Sequence, residues 1–281
     1  MRDRGAWQEV AIGVGVTDVV VAGSTGVLGA SLTMPGGGFA GDLWRSWTDD
    51  PMSTDPFQEA PETPCRQPDR TVVLDDGSEY RFLEERIADD GEWAPVSWSA
   101  CHPISYVVQT GGGPRDFEWQ VDVLMAEMAK LTGLEFVDEG VVVEPSGPRE
   151  FYQPEAYGDR WAPVLIRWSD EDDEPQLAGD VVGLATSWTD WDEDGTLYQV
   201  TGVVDLDVEI SRWKSWGDGE PGYVPILRHE LGHILGLDHV DDPNELMHAE
   251  SDYAWYFSPG DVAGLEILGQ GGCATGFDPQ P

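Results

Sequence analysis

Four of the five histidines in this 281-residue chain fall in one stretch, RHELGHILGLDHVDDPNELMH (228–248). His229 and His233 are four apart. On a helix they stand one turn apart on the same face and can share a metal ion. Glu230 sits about 100° further around the axis, poorly placed as a ligand of that ion but able to reach a water beside it. Leu231, Ile234 and Leu235 point elsewhere and can anchor the helix in a core. Gly236 can take the left-handed conformation that ends a helix and turns the chain. That turn returns His239 as a third nitrogen ligand. Three histidines leave a fourth tetrahedral position for water, the arrangement of a catalytic rather than a structural zinc site. The eleven-residue H-E-x-x-H-x-x-G-x-x-H is far more specific than a bare H-E-x-x-H.

The rest of the chain has to build a body around that helix. Its length suits one large domain with flanking segments, and a hydrophobic content of 40% with 13 Trp supplies a core. The formal net charge is −39, from 54 acidic and 15 basic residues. Such a surface repels nucleic acid and anionic lipid, which argues against either as a partner. It fits an acidic, solvated surface or an adaptation to high salt.

The N-terminal 34 residues carry Arg2 and Arg4 ahead of a run of small apolar residues from Val10 to Leu32. They read as a signal peptide or weak membrane anchor, with a true start at Met34 or Met52 as the alternative. Residues 35–92 read as a linker or pro-segment, rich in Gly, Pro and Asp up to Arg70, with a hairpin over 71–83 about an Asp-Gly turn. Residues 93–281 form the expected α+β domain. Its predicted strands are 102–109, 134–137, 162–168, 180–188 and 197–208. Asp116 is expected to cap a helix over 117–132 that Gly133 stops. A second helix runs from Pro225 to Leu237, and a third from Pro259 to Leu268 with Ser258 and Asp261 at its start.

HELGHILGLDH resembles the zinc signature of the metzincin metallopeptidases, and the eight-residue interval from His239 to Met247 resembles their matrixin branch. SWSACHPISYVV, TGLEFV, WAPVLIRW and SPGDVAGLEILG are similar to a bacterial secreted matrixin-like group. The resemblance implies a zincin-like α+β fold, with a mixed five-stranded sheet, an active-site helix, a Met-turn and a C-terminal helix. It implies that ELM (245–247) is the Met-turn, with Met247 beneath the metal and Asp261 tying the last helix to it. Gly183 and Ala185 would lie on the edge strand that holds a peptide substrate by strand addition. The chain departs from the matrixin pattern at Val240, where Ser or Thr is usual, and at His248, where Tyr is common. His248 would border the substrate pocket or simply pack. With only His102 outside the cluster, the second, structural zinc of the animal enzymes is not expected.

Cys101 opens the domain and Cys273 closes it, and domain termini tend to lie close together. That proximity and the resemblance both pair them, leaving Cys65 odd; a bridge from Cys65 to either is the alternative. Cys65 lies in PCRQPD, similar to the matrixin Cys-x-x-Pro-Asp whose thiolate caps the zinc and keeps the enzyme latent, with Arg66 where Gly is usual. Otherwise it is a free thiol in a linker. Asp190, Asp192, Asp194 and Gly195 look like the start of a calcium loop, but its twelfth position is Thr201 rather than Glu, so Ca²⁺ competes with an acidic hairpin tip.

These readings converge on a secreted, monomeric zinc endopeptidase, extracellular or at the cell surface. It would act on protein or peptide substrates, with His229, His233 and His239 holding Zn²⁺ and Glu230 as general base. The alternatives are a non-peptidase zinc hydrolase on the same scaffold and a non-catalytic zinc-binding surface protein. If the acidic surface reflects salt adaptation, the unfolding temperature should rise steeply from low to molar NaCl as carboxylate repulsion is screened. A flat or falling curve would remove salt adaptation as the reason for the charge.

Overall fold

Apolar period decides where the long elements form. The computed structural model describes residues 65–66, 71–88, 91–212, 219–250 and 254–277. Short strands come first: β1 (Cys65–Arg66), β2 (Val72–Val73), β3 (Glu79–Tyr80), β4 (Glu85–Ile87) and β5 (Trp93–Pro95). They lead into β6 (Ile104–Gln109), α1 (Phe117–Thr132), β7 (Phe136–Val141) and the single-turn α2 (Pro154–Tyr157). β8 (Val164–Ser169), β9 (Gly183–Trp191), β10 (Leu197–Asp207), α3 (Val224–Leu235) and α4 (Pro259–Leu268) follow.

β8 is buried at every residue, as its unbroken apolar run requires of a strand covered on both faces. It is the middle strand of a five-stranded sheet ordered β7-β6-β8-β10-β9. β7, β6, β8 and β10 run parallel, and β9 returns antiparallel against β10. The expected mixed five-stranded α+β arrangement is therefore present. The helices cover one face, where Ile166, Val204 and Leu206 join the apolar sides of α1, α3 and α4. The other face packs Val107, Leu165 and Val203 under the 142–157 segment through Val142, Phe151 and Tyr157.

Buried ion pairs fasten that covering segment. Arg149 donates two hydrogen bonds to the Glu144 carboxylate, each 2.9 Å, and a third to the Gly202 carbonyl at 3.0 Å. Arg167 pairs with Asp205 on the neighbouring strand and donates to the Gly147 carbonyl at 3.0 Å. The fork geometry of arginine lets one buried cation bridge sheet and loop.

Helix α1 has the predicted bounds and buries Val121, Leu124, Met125 and Met128 on one side. It stops at Gly133, whose φ is 76°. Asp116, expected to cap it, makes no side-chain cap bond, because its backbone (φ −97°, ψ 9°) is not in the extended conformation that aims a capping side chain at the first turn. α3 ends at Leu235 rather than Leu237, since Gly236 already turns left-handed. α4 has the predicted bounds, and the Asp261 carboxylate accepts from the Ser258 N–H at 2.9 Å.

β2 and β3 form the expected hairpin, with Gly77 at φ 90° in its turn. It is not a free appendage. Phe82 lies in the main core, and Tyr80 packs against it. Gly260 of α4 lets the Glu79 backbone approach within the space a side chain would fill. The signal or anchor expected over 1–34, and the linker up to Pro64, lie outside the described residues. No helix among the described residues is long and apolar enough to cross a membrane.

Cys101 and Cys273 form the expected disulfide, with Cα atoms 5.0 Å apart and a sequence separation of 172. Ala100 N–H to Gly272 O (3.0 Å) and Ala274 N–H to Ser99 Oγ (3.1 Å) hold the same two segments together. Closing so long a loop restricts the unfolded chain strongly. Cys101→Ser with Cys273→Ser should cost roughly 2–5 kcal/mol, towards the upper end, in urea unfolding. An unchanged midpoint would mean that the bridge is thermodynamically idle.

Candidate metal centre

Helix α3 is buried along its whole length, so its histidines sit in the core rather than on a solvated face. Gly236, at φ 118°, ends it. The Gly236 N–H bonds to the carbonyls of Gly232 (3.1 Å) and His233 (3.0 Å), and the Leu237 N–H bonds to Gly232 O at 3.0 Å. A Cβ at position 236 would stand 2.9 Å from both Gln199 Nε2 and Leu268 Cδ2, so conformation and space both demand glycine. The turn carries His239 back over the helix. The Nε2 atoms of His229 and His233 are 3.0 Å apart, and each is 3.2 Å from Nε2 of His239.

Backbone carbonyls settle the tautomers of the two helical histidines. His229 Nδ1 is 2.6 Å from Leu246 O, and His233 Nδ1 is 2.7 Å from Leu237 O. A carbonyl only accepts, so both Nδ1 atoms carry the proton, and in the neutral rings Nε2 presents a lone pair. Lone pairs facing each other at this distance repel unless a cation lies among them. Ligands about 2.0–2.1 Å from a tetrahedral zinc are about 3.3 Å apart, within a few tenths of the observed edges. The donor set and its spacing fit zinc. Among the described residues, this triad is the group of His, Cys, Asp or Glu side chains able to hold an ion.

The Glu230 side chain is fully buried. Its carboxylate lies against Gly183, where any Cβ would collide with Oε1 and stand 2.9 Å from Ile226 Cγ2. Gly183 opens β9, the last strand on its side of the sheet, and pairs with Leu206; Ala185 pairs with Val204. The sheet edge and Glu230 are thus brought together.

The Glu245–Met247 segment closes beneath the helix. The Val240 N–H bonds to Met247 O at 3.0 Å. Asp261 Oδ2 accepts from the Leu246 N–H at 2.7 Å, and Oδ1 from the Met247 N–H at 3.3 Å, the expected tie between last helix and turn. Burial pushes the Asp261 carboxyl up to about 7, and the nearby Glu245 charge acts in the same direction against the backbone N–H donors.

Some of the site was not expected. Gly232 lets Met247 approach: a Cβ there would stand 2.6 Å from its Sδ. A glycine inside a helix costs about 1 kcal/mol relative to alanine, and that anomaly was the available signal. Glu245, also buried, accepts from the N–H groups of Glu79 and Asp261, both at 3.2 Å; nothing local in sequence marks it. Arg228, 1% exposed, pairs with Glu127 and Glu220, donates to Trp255 O and lies under the Tyr256 ring at 4.7 Å. A charge inside the apolar run of α3 was its signal.

Three further expectations concern His248, the calcium loop and Cys65. His248 engages the backbone of Glu250, in its own turn, and is not in the triad. The calcium loop is not supported. Asp192 Oδ1 accepts from the N–H groups of Asp194 (3.1 Å) and Thr196 (2.8 Å), and Oδ2 from that of Thr275 (3.0 Å), which tethers the hairpin tip to the chain after Cys273. These donors outweigh burial and hold its carboxyl below the usual range. For Cys65 the backbone pairs with Arg86 of β4, and the side chain on which latency depends lies outside what is described.

No family model matches the chain. Among curated proteins, matrilysin of Felis catus is 32% identical over 69 residues, which cover 22% of this chain and 26% of matrilysin. The relationship is matrixin-like over that stretch. The chain spans about a quarter of that relative's length.

The Asp261 environment sets a pH dependence. Between 3.8 and about 7 the folded carboxyl keeps a proton that the unfolded chain has shed, so stability falls as pH rises through that window and levels off above it. Asp261→Asn removes this component. Its melting temperature should vary less steeply with pH there than the wild type's; parallel curves would mean that Asp261 titrates normally.

Proposed function

We propose that the chain is a zinc-dependent endopeptidase of matrixin-like character. The observation that carries this reading is the convergence of three histidine Nε2 atoms 3.0–3.2 Å apart on a buried helix that also bears Glu230, beside an edge strand. The short matrilysin likeness supports it. His229, His233 and His239 hold the ion, and Glu245–Met247 is the Met-turn. Zinc, when bound, supplies Lewis acidity that polarises a carbonyl and makes water a stronger nucleophile near neutral pH.

The chain's own residues do the rest. Backbone groups of β9 from Gly183 to Ala185 pair with an extended substrate and fix its register. Glu230, desolvated beside Gly183, takes the proton of the attacking water and returns it to the leaving amine. We further propose an exported monomer acting on proteins or peptides; the disulfide supports an oxidising compartment.

Glu230→Ala should retain bound zinc and lose at least about a hundredfold in cleavage of a random peptide library. Wild-type cleavage should stop with a chelator and return with zinc. Undiminished cleavage by the zinc-loaded variant removes the role given to Glu230. A zinc-loaded wild type that cleaves no peptide bond removes the endopeptidase reading in favour of another hydrolase or a binding protein.

A further inference from the structure

We propose that Arg81–Leu83, upstream of the stretch that resembles a protease domain, is a strap that positions the third histidine of the metal centre. The proposal rests on the triad being a zinc site. His229 and His233 are held by the helix that carries them, whereas His239 hangs on the three-residue turn 236–238. Arg81–Leu83 pairs with that turn as a short antiparallel strand. The Leu83 N–H donates to Gly236 O at 2.9 Å, and the Asp238 N–H donates to Arg81 O at 2.9 Å. Phe82 stands opposite Leu237 between these two bonds, and both side chains are buried in the main core.

The turn so held serves two ligands at once. Leu237 O accepts from His233 Nδ1 at 2.7 Å and so fixes that ring's tautomer. Asp238 Oδ1 accepts from the His239 N–H at 2.8 Å. The strap is itself anchored on both sides. Its Arg81 guanidinium grips Thr71 Oγ1 at 2.6 and 3.1 Å, closing the hairpin. The Glu79 N–H donates to Glu245 in the segment beneath the helix. The hairpin thereby links the chain before His239 to the chain after it. Any trimming of the N-terminal region that leaves a working centre must then stop upstream of Thr71, and a cut after Leu83 disarms the protein instead of maturing it.

The test is a double-mutant cycle read as zinc affinity of the full-length chain, by competition with a chromophoric chelator. Leu83→Pro deletes the donor to Gly236, and Phe82→Ala empties the bridge. Each is made in the wild-type and His239→Ala backgrounds. In the wild-type background each should weaken zinc binding about ten- to a hundredfold and speed its release, as loss of an outer support does. In the His239→Ala background the loss should be at least about threefold smaller, the remainder acting through the Leu237 carbonyl on His233. Where Leu83→Pro does not fold, Phe82→Ala read against the near-isosteric Phe82→Leu makes the same comparison, with Phe82→Leu retaining most of the affinity. Equal losses in both backgrounds would overturn the strap as a device acting through His239. Unchanged affinity in the wild-type background would overturn it outright while leaving the zinc reading intact. A wild type that binds no zinc takes down both.

Discussion

Holding three imidazole nitrogens within about 3 Å of one another is the constraint around which the molecule is arranged. Lone pairs at that spacing repel unless a cation lies among them, and the two helical rings are fixed by bonds of their own. A buried helix sets His229 and His233 one turn apart, and carbonyls of Leu237 and Leu246 bind their outward nitrogens. Those carbonyls come from the turn before His239 and from the segment before Met247, so the same bonds that orient the rings lock the loops around them. The bonds that orient the rings are here also bonds that build the fold.

The acidic composition acquires meaning against the buried polar groups. With 15 basic residues available, the chain places Arg149, Arg167 and Arg228 inside, each on carboxylates and backbone carbonyls. Buried carboxylates elsewhere are met by backbone N–H groups, as at Asp192, Asp261 and Glu245. Such groups are costly to break singly, since removing one partner strands the other away from water.

Small residues govern how closely elements approach the centre. Gly232 admits the Met247 thioether under the helix, Gly183 admits the Glu230 carboxylate at the sheet edge, and Gly260 admits the hairpin backbone against α4. Each close approach joins segments distant in sequence, and a methyl group at any of the three would force them apart. Together they let one helix carry two of the clustered histidines and Glu230 beside the edge strand.

The sequence by itself determined the features that depend on short-range geometry. The spacing of His229 and His233, the left-handed stop at Gly236, the buried run of β8 and the bounds of α1 and α4 follow from helix and strand periods and local turn chemistry. Those act over a few residues and leave a readable pattern. Only the tertiary structure decided the hairpin's place in the core, the pairing of Arg81–Leu83 with the turn before His239, the use of Glu245 and Arg228, and the diversion of Asp192 from a calcium loop to a tether. Each of these joins residues far apart in the chain, such as Leu83 with Gly236 or Asp192 with Thr275. Such a pair has no period and no fixed spacing to betray it, because what selects it is the packing of whole elements rather than the conformation of either residue alone.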